Sequence, residues 1–238
     1  MGLQKDTDVD RKQHGKWYDD ACGAAFAMEL IGERWALPVI RELMLGGRRF
    51  SDIRASLPGI SAKVLTERLA SLEAVGIVTR TTLPAPTPAK LYVLTPWGLA
   101  LEPVMQELGR WSVQSPEHDP QLPLTPVSLM LSFRTMLDRD AARGMEATVR
   151  FEVGADRFDA ELSGAELRIM RAPPERAAAD LVFRAAKGIA YLRAFYGKQP
   201  LDAPGLALEV EGARALAERF IACFHLPAKR PPPPDKQA

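Results

Sequence analysis

The 238-residue sequence holds two cysteines, three histidines and almost no net charge, and each scarcity removes a class of function. Cys22 and Cys223 stand about two hundred residues apart, in no metal-ligand spacing, which argues against a disulfide scaffold and a zinc site. His14, His118 and His225 fall in a terminal arm, a proline-punctuated stretch and a chain end, so neither a triad nor a metal cluster is expected. No stretch approaches the ~18 consecutive apolar residues of a membrane span, and the first twenty residues lack the apolar core of a signal peptide. The expected location is the cytoplasm, with no membrane partner and no cofactor. A net charge of +1 is not that of a strongly basic protein, and no internal repeat is visible.

The most informative stretch present is RRFSDIRASLPGISAKVLTERLASLEAVGIVTR, from Arg48 to Arg80. Two short helical patterns flank Pro58, Gly59 and Ile60, and a β-branched strand start follows at once. Leu65, Leu69 and Leu72 recur at helical spacing, which turns one face of the second helix into a core and leaves Lys63, Thr66, Glu67 and Ala70 outside. Short helix, tight turn, longer helix and strand is the layout of a winged helix-turn-helix, whose second helix enters the DNA major groove. Two amphipathic helices joined by a Pro-Gly turn also suit a helical hairpin that contacts protein.

Local charge favours nucleic acid. Between Arg34 and Lys90 there are nine lysines or arginines (34, 41, 48, 49, 54, 63, 68, 80, 90) against four acids (42, 52, 67, 73), the modest footprint of a small DNA-binding domain. Helices are expected over Cys22 to Ile31 and Trp35 to Leu45, the latter stopped by Gly46 and Gly47. Strands at Ile77 to Arg80 and Leu91 to Leu94 would flank an exposed wing stiffened by Pro84, Pro86 and Pro88. Ser61, Lys63 and Thr66 are the candidates for base edges, and Arg48, Arg49, Arg54, Arg68, Arg80 and Lys90 for the phosphate backbone. Solvated charge is an equal reading for each of the wing residues Arg80 and Lys90. One helix, Pro96 to Trp111, carries the stripe Trp97, Leu101, Val104, Leu108 and Trp111, which fits a twofold interface and also a cover for the domain's own core.

Composition divides the chain: a disordered arm (1–17), a winged-helix unit (18–113), a polar proline-punctuated linker (114–125), a second unit (126–226) and a proline-rich tail (227–238). The second unit opens with an apolar helix from Pro126. Three alternating segments follow, around Phe151, Ala160 and Leu167, joined by hairpin-length turns at Gly154 and at Ser163-Gly164. A strand at Leu181 to Phe183, a helix near Ala186 to Tyr196, a strand at Leu206 to Val210 and a last helix complete it. The expected fold is two domains, a mainly α winged helix-turn-helix followed by an α+β layer of antiparallel sheet with helices on one face.

The first unit resembles the HxlR-type branch of the winged-helix regulators related to MarR, from Tyr18 to about Trp111. The pieces that carry the resemblance are Ile31-Gly32-x-Arg34-Trp35, Arg49-Phe50-Ser51-Asp52-Ile53, Leu57-Pro58-Gly59-Ile60-Ser61, the Leu65 to Leu72 repeat, Glu73-x-x-Gly76 and Tyr92-x-Leu94-Thr95. It implies a homodimeric regulator that binds a double-stranded operator near the genes it controls, with no catalytic residue in this unit. It also implies a cysteine near the first helix start, followed by proline, that senses oxidants or electrophiles in some members. Cys22 holds that place with Gly23 after it. A helix N-terminus lowers a thiol pKa, whereas Asp19 and Asp20 raise it, and a small buried, inert cysteine is the competing reading.

The second unit resembles sterol-carrier-protein-like domains over about Thr125 to Leu226, through Ala179-Asp180-Leu181-Val182-Phe183, Ala186-Lys187-Gly188-Ile189 and Leu208-x-Val210-x-Gly212. That resemblance implies a cavity between sheet and helices for a lipid-like apolar ligand, with Phe183, Leu192, Phe195, Tyr196, Phe220 and Phe224 as its candidate lining. Ordinary core packing competes for each of these residues. The reading as a whole is a ligand-modulated, operator-binding dimer and not an enzyme; the alternative is a lipid or acyl carrier whose winged domain mediates protein contacts.

Overall fold

A computed structural model describes residues 18, 20–83, 89–172 and 178–231. The expected arm 1–17, the wing prolines Pro84, Pro86 and Pro88, and the end of the tail from residue 232 lie outside the described residues. The chain divides into two compact units, one reaching Leu43 and resuming over Arg48–Gly98, the other made of Met44–Gly47 and the chain from Leu99 onward.

In the first unit α1 (Gly23–Ile31), α2 (Ala36–Leu43), α3 (Phe50–Ser56) and α4 (Ala62–Ala74) precede a hairpin of β1 (Val78–Leu83) and β2 (Ala89–Leu94). Its core is apolar and helical in period: Val39, Ile40 and Leu43 of α2, Ile53 of α3, and Leu65, Leu69 and Leu72 of α4 are all buried. Burial of such side chains, each stabilising by ~1.5–3 kcal/mol, fixes the helices relative to one another. β1 and β2 pair antiparallel from Val78 opposite Leu94 to Leu83 opposite Ala89.

The expected helix from Pro96 to Trp111 is two helices, α5 (Pro96–Leu99) and α6 (Glu102–Ser112). Pro103 lies in the first turn of α6; proline has no N–H to continue the preceding helix and suits a helix start. α6 belongs to the second unit, where it runs beside α7 (Pro126–Met136). Arg110 Nε donates to the Thr135 carbonyl at 3.0 Å, Arg134 Nη1 lies 2.9 Å from Glu102 Oε1, and a Cβ on Gly109 would sit 3.8 Å from Thr135 Cγ2.

The remaining elements are β3 (Ala147–Val153), β4 (Asp156–Ser163), β5 (Glu166–Arg171), β6 (Leu181–Ala185), α8 (Gly188–Phe195), β7 (Glu209–Gly212) and α9 (Arg214–Ala222). The meander β3, β4, β5 is present as expected. Its second turn is closed by Gly164 and Ala165 at φ of 57° and 61°, the left-handed pair that a two-residue hairpin requires. The sheet order is β5-β4-β3-β6-β7, and β6 lies parallel to β3 with Val149 opposite Leu181. The sheet is therefore mixed, which corrects the all-antiparallel expectation. β5 and β6 both run with β3. The expected last strand also moves: Leu206 and Leu208 are buried loop residues, and β7 pairs with β6 through Val210 opposite Phe183.

Alternation along β4 and β5 buries one face of the sheet, and residues of α7, α8 and α9 share that core. The opposite face carries charge, with Arg150 held by Asp159 through bonds of 2.7 and 2.9 Å. The linker and the described part of the tail are joined: Lys229 Nζ donates to the Ser115 and His118 carbonyls at 2.9 and 2.7 Å, and Arg230 N to the Gln114 carbonyl at 2.8 Å.

Candidate nucleic-acid interface

The turn between α3 and α4 is built from local chemistry. Leu57 closes α3, the Ile60 N–H bonds back to the Leu57 carbonyl at 3.2 Å, and Gly59 takes φ +94°, a conformation that favours glycine. Ser61 then caps α4, its Oγ accepting from Val64 N at 3.2 Å, so this base-edge candidate already has a structural duty. On the outer side of α4, Lys63 is 86% exposed and 4.0 Å from Glu67, and Thr66 Oγ1 donates to the Ala62 carbonyl at 2.9 Å. Such an exposed pair holds weakly and yields readily to a phosphate or a base edge.

The six phosphate candidates separate into two sets. Arg49 and Arg54 are exposed on and beside α3, and Lys90 is exposed on β2; none has an ion pair among the described residues. Arg80 is 56% exposed, held 2.7 Å from Glu73 and stacked 5.5 Å from the centre of the Tyr92 ring. Two candidates point inward and are corrected. Arg48 is buried against Glu42, Nη1 to Oε2 2.5 Å, and its backbone exchanges bonds of 3.0 and 2.9 Å with Tyr92. Arg68 turns back to Glu33 and to Ser71 Oγ, with its side chain only 11% exposed. An arginine is long enough to reach either way, and a carboxylate in reach on the protein side decides the direction. Glu42 is the residue the sequence reading missed. Its signal was a charge at a core position, three residues after Val39 and next to Leu43, both of which are buried.

Of the apolar stripe, Trp97, Val104, Leu108 and Trp111 are exposed, and Leu101 is half-buried between the two helices. Val104, Leu108 and Trp111 share one face of α6, with Trp111 70% exposed. Cys22 is exposed at the N-cap of α1, which corrects the buried reading of this thiol. Hydrogen bonds from the backbone N–H groups of Ala25 and then Ala24 lower its pKa below that of an ordinary thiol. Cys223 is the buried one, its pKa raised chiefly by desolvation.

The six candidate pocket residues are core. Phe195 stacks on Phe133 with centroids 4.4 Å apart, lies 5.3 Å from both Phe183 and Phe224, and Phe220 lies 5.1 Å from Phe224. Leu192 is buried with them, and Tyr196 is half-buried with its hydroxyl 2.6 Å from Ser132 Oγ. Close-packed rings leave no room for a ligand among them. The described cavities of this unit are lined by other residues. Among the described residues no cluster of His, Cys, Asp and Glu is placed to hold a metal ion, and no helix is long and apolar enough to cross a membrane.

A short helix, a glycine turn, a capped second helix with a free outer face and a two-stranded wing together define a winged helix-turn-helix unit, the class found in DNA-binding regulators. The HxlR-like helix-turn-helix family model matches residues 30–120. The HTH-type transcriptional regulator YodB of Bacillus subtilis (strain 168) is 46% identical over 89 residues, 37% of this chain and 79% of that protein. The HTH-type regulator YvaP of the same organism is 39% identical over 89 residues, 37% of this chain and 82% of that protein. The solved reduced form of YodB aligns at 40% identity over 42% of this chain and 100% of that one, with a TM-score of 0.38. The chain belongs to the HxlR-like helix-turn-helix family.

Proposed function

We propose that the protein is a homodimeric transcription regulator that binds a double-stranded operator. Lys63 and Thr66 of α4 meet base edges in the major groove, and Ser61 orients the start of the helix. Arg49, Arg54, Arg80 and Lys90 meet phosphates, which sets register without reading sequence. Arg48 and Arg68 leave the contact set because carboxylates hold them inside. The exposed face of α6 forms the twofold seam, so that two copies of α4 reach half-sites about one helical turn apart. The observation that carries this reading is the division of α4 itself, with Leu65, Leu69 and Leu72 buried and Lys63 and Thr66 exposed on the other side. Nothing in the aromatic core of the second unit favours a lipid-carrier role, since its rings fill the space such a ligand would need.

The test is fluorescence anisotropy on a duplex selected from a random library by the full chain. Lys63→Ala should weaken binding while the fold is kept. A phosphate role lowers the salt slope by about one unit, and a guanine contact costs discrimination of ~1–3 kcal/mol. No enriched duplex at physiological salt, or binding unchanged in the variant, overturns this placement of α4.

A further inference from the structure

The turn between α1 and α2 holds a tryptophan where glycine is usual. The Ala36 N–H bonds back to the Glu33 carbonyl at 3.0 Å, and Trp35, third in that turn, has φ +77°. A turn position with positive φ ordinarily goes to glycine, and a bulky side chain there is an outlier. Strained backbone persists only where its surroundings hold it, and it gathers at functional sites.

Two contacts hold this turn, and both lead to the helix-turn-helix. The edge of the Trp35 indole lies against Gly59, where a Cβ would sit 3.9 Å from Cη2 and 4.0 Å from Cζ2. Gly59 belongs to the turn between α3 and α4, two residues before the Ser61 cap. Glu33 takes up the guanidinium of Arg68 on α4. The turn is therefore fixed both to the body of α4 and to its start, the end whose residues meet base edges when such a helix enters the major groove.

Arg34 stands between these anchors. It is exposed, its guanidinium carbon lies 5.7 Å from the centre of the Trp35 ring, and it has no ion pair among the described residues. The neighbouring acid, Glu33, is already engaged by Arg68. A guanidinium stacked on an aromatic face keeps its fork of N–H donors open to a phosphate. Here that fork is one indole away from the turn that precedes α4.

We infer that Arg34 is a phosphate contact of the bound duplex, presented by the Trp35 ring beside the start of α4. This rests on the operator reading and adds to it a contact from outside the helix-turn-helix and the wing. The competing duty is structural, with the guanidinium only shielding the indole from water.

The experiment is fluorescence anisotropy of the full chain on the duplex selected from the random library, with the wild type, Arg34→Ala and Arg34→Lys. Arg34 is exposed, so each variant should fold, and circular dichroism checks it. Arg34→Ala should weaken binding to every duplex, and the advantage of the wild type should shrink about threefold between about 50 and 200 mM salt, as the loss of one phosphate contact requires. Arg34→Lys should restore the salt slope, which a shielding role does not alter. On duplexes carrying single methylphosphonates, one neutralised phosphate should weaken the wild type and leave Arg34→Ala unaffected, the mark of a direct pair. A wild-type slope in Arg34→Ala, or no phosphate whose neutralisation that variant masks, overturns the contact and leaves the operator reading standing. A wild type that binds no selected duplex overturns both.

Discussion

Glu42 and Arg48 form an ion pair inside the winged unit, with Nη1 2.5 Å from Oε2 and the carboxylate fully buried. Arg48 extends the contact through its backbone, which pairs with Tyr92 of β2, and Tyr92 in turn carries the guanidinium of Arg80, held by Glu73 of α4. One charge pair thus begins a chain of contacts from α2 through the wing strand to the end of α4. Removing one partner of a buried pair strands the other charge, so Glu42→Ala should cost ~3–5 kcal/mol in urea unfolding. Replacing both, with Glu42→Leu and Arg48→Met, should cost less than Glu42→Ala, since only the part-exposed Arg41, 3.2 Å from Glu42 Oε1, then loses its partner, and should leave operator affinity unchanged. A lowered salt slope in the double variant would return Arg48 to the interface.

The two sets of arginines make opposite predictions. Arg54→Ala should weaken binding on every duplex and lower the salt slope by about one unit, because an exposed guanidinium that neutralises a phosphate releases counterions. Arg68→Ala should leave the slope alone and lower thermal stability, because its guanidinium serves Glu33 and Ser71. Equal salt slopes for the two variants, whichever way they move, would contradict the division.

Periodicity and turn chemistry are local, and what depends on them was legible in the sequence. The inward face of α4 follows from Leu65, Leu69 and Leu72, and the β3 to β5 meander from alternation between Phe151, Ala160 and Leu167. What the sequence hid was set by distant partners. The inward turns of Arg48 and Arg68 are decided by Glu42 and Glu33, and the parallel seat of β6 beside β3 is a non-local pairing that no turn residue specifies. For the aromatic residues of the second unit the sequence leaves core and pocket both open, because it shows their type and not the 4.4 Å that separates the ring centres of Phe195 and Phe133.

Dimerisation through α6 is expected to fail when its exposed face is charged. Val104→Glu with Leu108→Glu places carboxylates at solvent-exposed positions of the monomer, so folding should survive while association is lost. Analytical ultracentrifugation should show monomer for the variant and dimer for the wild type, with operator affinity falling in parallel. A wild-type monomer, or a dimeric variant, would remove α6 from the seam.

The two thiols differ in chemistry as well as exposure. Cys22 is exposed with its thiolate favoured by the N–H groups of Ala25 and Ala24, while burial raises the pKa of Cys223. Since the thiolate is the nucleophile, iodoacetamide at neutral pH should label Cys22 first, and Cys223 should react only on unfolding. Mass spectrometry of the peptides reads both sites, and equal rates in the native protein would count against this assignment.

The parallel strands are clasped at their start by Thr148 and Asp180, and this clasp responds to pH. Thr148 N and Oγ1 each donate to Asp180 Oδ2 at 2.7 Å, and Asp180 N lies 2.9 Å from the Thr148 carbonyl. Bonds from the Thr148 backbone and then from its hydroxyl lower the Asp180 pKa. A carboxyl whose folded pKa lies below the unfolded value contributes stability that is complete above the unfolded value, about 3.9, and is lost as pH falls through the folded one. Asp180→Ala should therefore lower the melting temperature at pH 7, and the gap from wild type should narrow as the pH falls through that window. The backbone bond from residue 180 to Thr148 survives the substitution, so β6 should keep its register opposite β3 and near-native circular dichroism is expected. Melting curves at pH 7 and pH 3 decide the matter. A gap of the same size at both would mean that the carboxylate contributes nothing through its charge, and that the Asp180 side chain acts by shape alone.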